Sequence, residues 1–383
     1  MQVMITYIFA WSRKTGFSPN MKRRSKTVKL SDVAHEARVS TATVSRFVSA
    51  RGGITPETRG RIIEAAARLG FDLERGRKSR IIGFLLSNRH ALHPFHSAVL
   101  MGAQAYCAEH DYAVLFLPFH YATAAEANEV RLPEVLLQRK IVSGVIVAGT
   151  NSRPLLELLT AKGIPWVVLG NNVIAAGDGE LSGGDAVYFD DIDGAYELTR
   201  YLQTLGHRQI AFIGKLSLPW YSRRYQGYAR AMHEAGLTVQ VNERNFREGE
   251  DMGYLATKLI LQHAHAPTAI FAGDDSTGRG VYQAARDCGL RIPQDLSVAG
   301  FNDIPEAAAL HPPLTSVRVF TDELGKQLAE VLLSRIARPD SPPQTLDLPT
   351  QLIRRESCAP PAGVPWLGQP RSHRQERGSV SSP

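Results

Sequence analysis

The 383-residue chain holds only three cysteines, Cys107, Cys288 and Cys358, far apart and with no CxxC pair. That excludes a disulfide framework and a cysteine-based zinc site, and it fits a reducing compartment such as the cytoplasm. Cys107 and Cys288 fall within amphipathic helical patterns and read as small buried apolar residues. No apolar run is long enough to span a bilayer. The opening "MQVMITYIFAW" lacks the basic start and small-residue cleavage site of a secretory signal. HExxH, GxSxG, Walker A and GxGxxG signatures are missing too, so no catalytic residue is nominated and the chain reads as a non-enzyme. His93-x-x-His96 offers two metal ligands, but no third lies near in sequence, and neither metal nor cofactor is expected.

Acidic residues are scarce in one place. Between Met21 and Arg80 there are 15 Lys and Arg against 6 Asp and Glu, a net +9, leaving −2 for the rest of a chain whose total is +7. Positive charge concentrated in the first fifth points to an acidic partner, double-stranded DNA. A merely solubilising basic segment would show no hydrophobic period, and this one does. In "LSDVAHEARVSTATVSRFVS", residues 30–49, apolar or small residues keep a helical period up to Ala37, lose it at Arg38-Val39-Ser40 and regain it at Thr41. Two short helices joined by a tight turn make a helix-turn-helix, with Ser40 as N-cap of the second. Thr55 as cap, Pro56 in the first turn and Gly70 as stop mark a third helix. Thr41, Ala42 and Arg46 are placed to meet base edges, and Arg46 has the geometry to take a guanine bidentately. Ser40, Thr43 and Ser45 suit phosphate oxygens. Arg38 stands where such a turn favours glycine.

"VKLSDVAHEARVSTATVSRFVS", followed by "ITPETRGRIIEAAARLGF", resembles the DNA-binding headpiece of the lactose/galactose-repressor family of bacterial transcription regulators. The resemblance continues to about Cys358. It implies a sequence-specific transcriptional regulator, a repressor, that binds a palindromic operator as a homodimer and answers to a small polar effector.

From Ile81 the chain alternates. "IIGFLLS", "AVLFLPF", "VSGVIVAG", "IPWVVLG" and "AVYFD" read as strands, with helices beginning near Phe95, Ala125, Pro154 and Asp193. A second set follows, with strands "RQIAFIGK", "TAIFAG" and "LSVAGFND" and helices between them. Near-continuous apolar strands separated by helices imply parallel sheets covered on both faces, and ligands of such sheets bind beyond the strands' carboxyl ends. The fold class is therefore α/β: a small all-α helix-turn-helix domain followed by a two-lobed, periplasmic-binding-protein-like domain with parallel sheets. "SRRYQGYARAM" is similar to the family's R-x-x-G motif, which puts Arg224 at the effector. "AGDDSTGRGV" likewise places Asp274 in the cleft, and "SVAGFNDIPEAAALHPPLTSVR" places Asn302 there. In the first lobe, "LLSNRHALHPFH" offers Asn88, His93, Phe95 and His96. "VVLGNN" offers Asn171 where many relatives carry an acid, and Trp220 of "LPWY" is able to stack on a sugar face or to serve as a lid. These donors, acceptors and aromatics suit a carbohydrate. "DDIDG" at 190–194 reads as acids favouring a helix N-terminus.

The expected layout is an extension over 1–26 with Met21 as the working start, the helix-turn-helix domain over 27–71, a basic linker over 72–80, the effector domain over 81–358 and a disordered tail over 359–383. The linker is shorter than the family's and lacks its A-R-x-L element, so no hinge helix is expected. Arg75, Arg77 and Lys78 would lie along phosphates or the minor groove, or simply be solvated. The helix "FTDELGKQLAEVLLSRIA" is expected to pack through Leu324, Leu328, Val331 and Leu332. Two other readings stay open: a sugar-binding protein or sugar-modifying enzyme with an incidental basic N-terminus, and a general DNA-packaging protein.

Overall fold

The computed structural model describes residues 28–48, 53–71, 73, 79–90, 93–138, 140–174, 184–242, 246–262 and 266–362. It divides into two compact units, Met1–Lys78 and Ser79–Pro383.

The first unit contains helices Leu30–Glu36, Thr41–Val48 and Pro56–Leu69. Their apolar stripes converge, burying Val33, Ala34, Ala37, Val44, Val48, Ile62, Ala65 and Ala66 together. The terminators expected from sequence hold each helix. The Ser40 hydroxyl accepts from Thr43 N–H at 3.1 Å, and Thr55 accepts from Thr58 N–H at 3.3 Å. Gly70 closes the third helix at φ 62°. Arg38 adopts φ 53° in the turn, a left-handed conformation that costs a side-chain-bearing residue about 1–2 kcal/mol. Leu73, assigned to the linker by sequence, packs instead on this core. Arg75, Arg77 and Lys78 lie outside the described residues.

The second unit begins two residues earlier than expected. The Ser79 hydroxyl donates to Ile141 O, and Arg80 pairs with Asp111 at 2.9 Å. Two six-stranded sheets follow. The first runs Thr345–Leu348, Asp185–Phe189, Trp166–Leu169, Val145–Gly149, Ile81–Ser87, Ala113–Phe119, all parallel. The second runs Thr350–Ile353, Thr315–Val319, Ser297–Asn302, Ala269–Ala272, Ile210–Ile213, Gln240–Asn242, with only its Thr350–Ile353 edge antiparallel. Central strands such as Val145–Gly149 and Ala269–Ala272 are buried at every position, as continuous apolar runs require.

Two expectations fail here. The helix expected near Ala125 does not form: residues 122–129 make turns, and only Glu134–Leu137 is helical. Tyr121, Ala125, Val130 and Leu132 each dock on the first lobe's core, and that packing overrides local propensity. Cys107 is buried as expected, but Cys288 is exposed at the end of helix Asp275–Asp287.

The chain passes between the lobes at three places, near residues 190, 320 and 349. The first and third are bonded together: Asp190 N–H donates to Leu348 O at 3.0 Å, and the Thr350 hydroxyl donates to Asp190 O at 3.1 Å. Helix Thr321–Ala337 thus returns to the first lobe, burying the expected Leu324, Leu328, Val331 and Leu332. It crosses helix Pro94–Glu109 at backbone distance, since a Cβ on Gly325 would lie 2.0 Å from Val99 O and one on Gly102 2.2 Å from Asp322 O. Past the expected end at 358, Ala359 N–H donates to Ser297 at 3.0 Å, and His207 donates to Ala359 O at 2.9 Å. Residues 363–383 lie outside the described residues.

Burial pushes His207 down to about 4 from 6.5. The unfolded chain therefore binds the extra proton first, so this residue's contribution is complete above about pH 6.5 and declines as pH falls toward 4. The variant His207→Gln is expected to lose less stability than the parent between pH 7 and 4.5. Urea melts at the two pH values check this; an equal fall in both proteins would contradict it.

Candidate functional site

In the first unit, Thr41, Ala42, Ser45 and Arg46 are exposed on the second helix, and this spacing puts them on neighbouring turns of one face. Ser40 and Thr43 bond to each other through their hydroxyls at 2.8 Å, so their oxygens serve first as the helix cap. The opposite face of the helix is consumed by Val44 and Val48 in the core, which fixes which residues can face a partner.

In the second unit, the carboxyl ends of the two sheets face one cleft. His93, Phe95, Trp220, Arg224, Asp274 and Asn302 all line it, together with Arg89, His96, Asn172, Phe189 and Glu248. Each arrives from a strand end or a helix start, where the chain must turn. Asp274 caps helix Asp275–Asp287, accepting from Thr277 N–H at 2.7 Å, and its other oxygen accepts from the Tyr221 hydroxyl at 2.6 Å. Burial, with the Asp274 charge second, drives the Tyr221 phenol well above its ordinary value, so it stays a donor.

Arg224 is almost wholly buried. Its Nε donates to Asp191 at 3.2 Å, one Nη to Gly273 O at 2.7 Å and the other to the Asn302 side-chain oxygen at 2.9 Å. The guanidinium also lies 4.0 Å from the centre of the Phe301 ring. Three of its five N–H groups are thereby engaged and two remain for a ligand. Asn302, held at φ 102°, lines the cleft beside it.

Across the cleft, Arg89 of the first lobe pairs with Glu248 of the second at 2.7 Å. Its guanidinium stacks 4.1 Å from the Trp220 ring centre, and its Nε is buried without a partner. One face of the Trp220 ring is therefore covered by Arg89. Burial raises the Glu248 carboxyl, against the pull of Arg89.

The two histidines form a relay. Asn172 donates to His96 Nε2 at 3.2 Å, which leaves the His96 proton on Nδ1, facing His93 Nδ1 at 3.3 Å. His93 then carries its own proton on Nε2. Burial, followed by Arg89, holds His93 below its ordinary value; burial, followed by His93 and Arg89, pushes His96 well below, so both rings are neutral. Among the described residues, no group of three or more His, Cys, Asp and Glu is placed to hold a metal ion. No helix among them is long and apolar enough to cross a membrane.

Asn88 and Asn171 need correction, because neither lines the cleft. Asn88, at φ 54°, accepts from Tyr121 N–H at 3.0 Å and donates to Thr150 O at 3.4 Å, stapling strand ends. Asn171 is buried against Phe189, accepting its N–H at 2.9 Å and donating to its O at 2.7 Å. The next residue, Asn172, reaches the cleft instead. Arg89, Asn172, Phe189 and Glu248 were missed. Only Arg89, inside "SNRH" beside Asn88, carried any signal, as a charge just past an apolar strand.

Comparison with known proteins matches residues 29–72 to the model of bacterial regulatory proteins of the lacI family, and residues 199–358 to that of a periplasmic binding protein-like domain. The chain is 31% identical over 339 residues to the ribose operon repressor of Haemophilus influenzae, covering 86% of this chain and 98% of that one. Among solved structures, a LacI-family regulator from Enterococcus faecium with bound ribose is similar at 26% identity and TM-score 0.62, covering 73% of this chain and 99% of that one. The lac repressor dimer bound to operator and an anti-inducer is similar at 25% identity and TM-score 0.66, covering 87% and 99%. The motifs, the two-lobed cleft and these matches agree: the chain belongs to the lacI family of bacterial regulatory proteins.

Proposed function

We propose that this protein is a transcriptional repressor that grips a palindromic operator as a homodimer and releases or tightens that grip when a small uncharged polyhydroxy compound, a monosaccharide, enters the cleft. One observation carries the choice of ligand: among the described residues, both arginines that line the cleft are already paired with a carboxylate, and Asp274 lines it too. Arg89 pairs with Glu248, and Arg224 with Asp191. An anionic ligand would set its charge against the carboxyl groups of Asp274 and Glu248 in the same cleft, whereas a polyol uses the spare N–H groups and carboxylate lone pairs without adding charge. The ribose operon repressor and the ribose-bound Enterococcus regulator among its relatives support the same class. The relatives are transcriptional repressors, so the protein is read as a sensor that returns its ligand unchanged rather than as an enzyme.

The exposed face of Thr41, Ala42, Ser45 and Arg46 would enter the major groove, one headpiece per half-site, with half-sites about 34–36 Å apart. Substituting Arg46→Ala is expected to weaken operator binding by about 1–3 kcal/mol and to relax the preference at a single base pair. Mobility-shift titrations over a set of operator variants measure both effects. A uniform loss across all sequences would make Arg46 a phosphate contact.

A thermal-shift screen of neutral and phosphorylated sugars tests the ligand class. A neutral sugar at a hundredfold its Kd should stabilise the protein by about 2.7 kcal/mol. Stabilisation only by phosphorylated sugars would overturn the reading. Asp274→Asn keeps the acceptor for Thr277 but removes the charge, and should weaken sugar binding by about 1.5–3 kcal/mol in calorimetry.

Sugar affinity should also be constant near pH 7–8 and fall as pH drops through and below the ordinary histidine range, because protonating either ring breaks the Asn172–His96–His93 relay. Calorimetric titration at successive pH values gives the profile. An affinity that rises on acidification would rule the relay out as a binding element.

A further inference from the structure

Arg224 reaches the effector, but the residue that aims it lies outside the cleft. Asp191 is the first residue of helix Asp191–Thr204, just past the first crossing between the lobes, and its side chain is fully buried. Three side chains converge on its carboxylate. Arg224 donates through Nε to Oδ1 at 3.2 Å, Arg223 through Nε to Oδ2 at 3.2 Å, and Asn171 of the first lobe through Nδ2 to Oδ2 at 2.8 Å. Sequence reading treated this residue as one acid of several at a helix start. It does stand in the first turn of that helix with Asp193, while the capping bond is made by its neighbour Asp190, whose side chain accepts from Asp193 N–H at 2.9 Å.

We infer that Asp191 is the positioning residue of the effector site, fixing the Arg224 guanidinium from behind and tying it, through Asn171, to the lobe on the other side of the cleft. The inference rests on the proposed function of that cleft and adds how its occupancy reaches the first lobe. Arg224 cannot shift toward a ligand without drawing on Asp191, and Asp191 cannot follow without loading Asn171. Asn171 in turn is held on both sides of the Phe189 backbone, in the strand that leads into the crossing. A contact made by one lobe is thus felt at the point where the lobes join. Arg223 completes the balance by giving the carboxylate a second cation. It also lies 5.9 Å from the centre of the Tyr188 ring, one residue before Phe189.

Two arms test this on the full-length protein. In the first, D-ribose is titrated into the parent, Asp191→Asn, Arg224→Lys and the double variant. Asp191→Asn should lower affinity about 10–100-fold, and the double variant should lose little beyond the larger single loss, because both substitutions act through one guanidinium. Losses that multiply would show that Asp191 acts elsewhere and overturn the inference. In the second arm, hydrogen–deuterium exchange is followed on ligand-free protein over residues 166–174 and 219–228. Asp191→Asn should speed exchange in both segments, whereas Asp193→Asn, which removes an exposed acid paired with Arg230, should leave both unchanged. Unaltered exchange over 166–174 would overturn the tie to the first lobe. Should Asp191→Asn fail to fold, Asn171→Ser removes the first-lobe arm, together with its two bonds to the Phe189 backbone, and leaves Asp191 and both arginines in place; it should still weaken D-ribose binding, although residue 171 does not line the cleft, and unchanged affinity would again overturn the tie. Failure of the parent to bind D-ribose would count against the proposed effector class, and the exchange arm would still decide the role of Asp191.

Discussion

A guanidinium taken out of water is tolerable only when anions and carbonyls surround it, and removing one partner of such a buried pair costs about 3–5 kcal/mol. The second lobe is organised around that requirement at Arg224. Strands Ala269–Ala272 and Ser297–Asn302 bring it Gly273 O and the Asn302 side chain, and the first crossing brings it Asp191. Phe301 lies under its face. Both sheets are parallel at their centres because helices must cover both faces of strands this apolar. Parallel strands put all their carboxyl ends on one edge, which is the edge that needs donors for its last carbonyls and supplies room for a ligand.

Much of this was legible in the sequence, and the limits are physical. Ser40, Thr55, Pro56 and Gly70 punctuate the headpiece through bonds only a few residues long, so reading neighbours was enough. Arg224 on helix Pro219–Glu234, and Asp274 and Asn302 at strand ends, sit within motifs, and all three line the cleft. Glu248 could not be found that way. Its partner Arg89 is 159 residues away in the chain, and their meeting depends on how two lobes close on each other. Asn88 and Asn171 show the reverse failure. A strand end leaves backbone N–H and C=O groups without partners, and an asparagine amide satisfies them as readily as it would a ligand hydroxyl. Cys288 was misjudged because a helical period does not say where the helix stops covering the core.

The headpiece accepts a backbone cost that the sensor also meets, at Asn88, Asp111, Asn302 and Asp303. Arg38 stands in a left-handed turn that glycine would occupy without strain. The first two helices still cross closely because Ala34 and Ala37 are small and fully covered by Val44, Val48 and Ile62. Small domains have little burial to spare, so the identity of these few residues matters more here than in the sensor's larger core.

The return of helix Thr321–Ala337 to the first lobe has a consequence for how the protein is made. The first lobe's edge strand Thr345–Leu348 and one of its covering helices are encoded after all of the second lobe's strands except its edge strand Thr350–Ile353. On a ribosome the headpiece therefore emerges before the sensor and can fold at once, while neither half of the sensor is finished until the edge strands Thr345–Leu348 and Thr350–Ile353 have been made. A prematurely terminated product would carry a groove-reading domain with no sensor to govern it, and the exposed faces of its unfinished sheets would mark it for quality-control proteases.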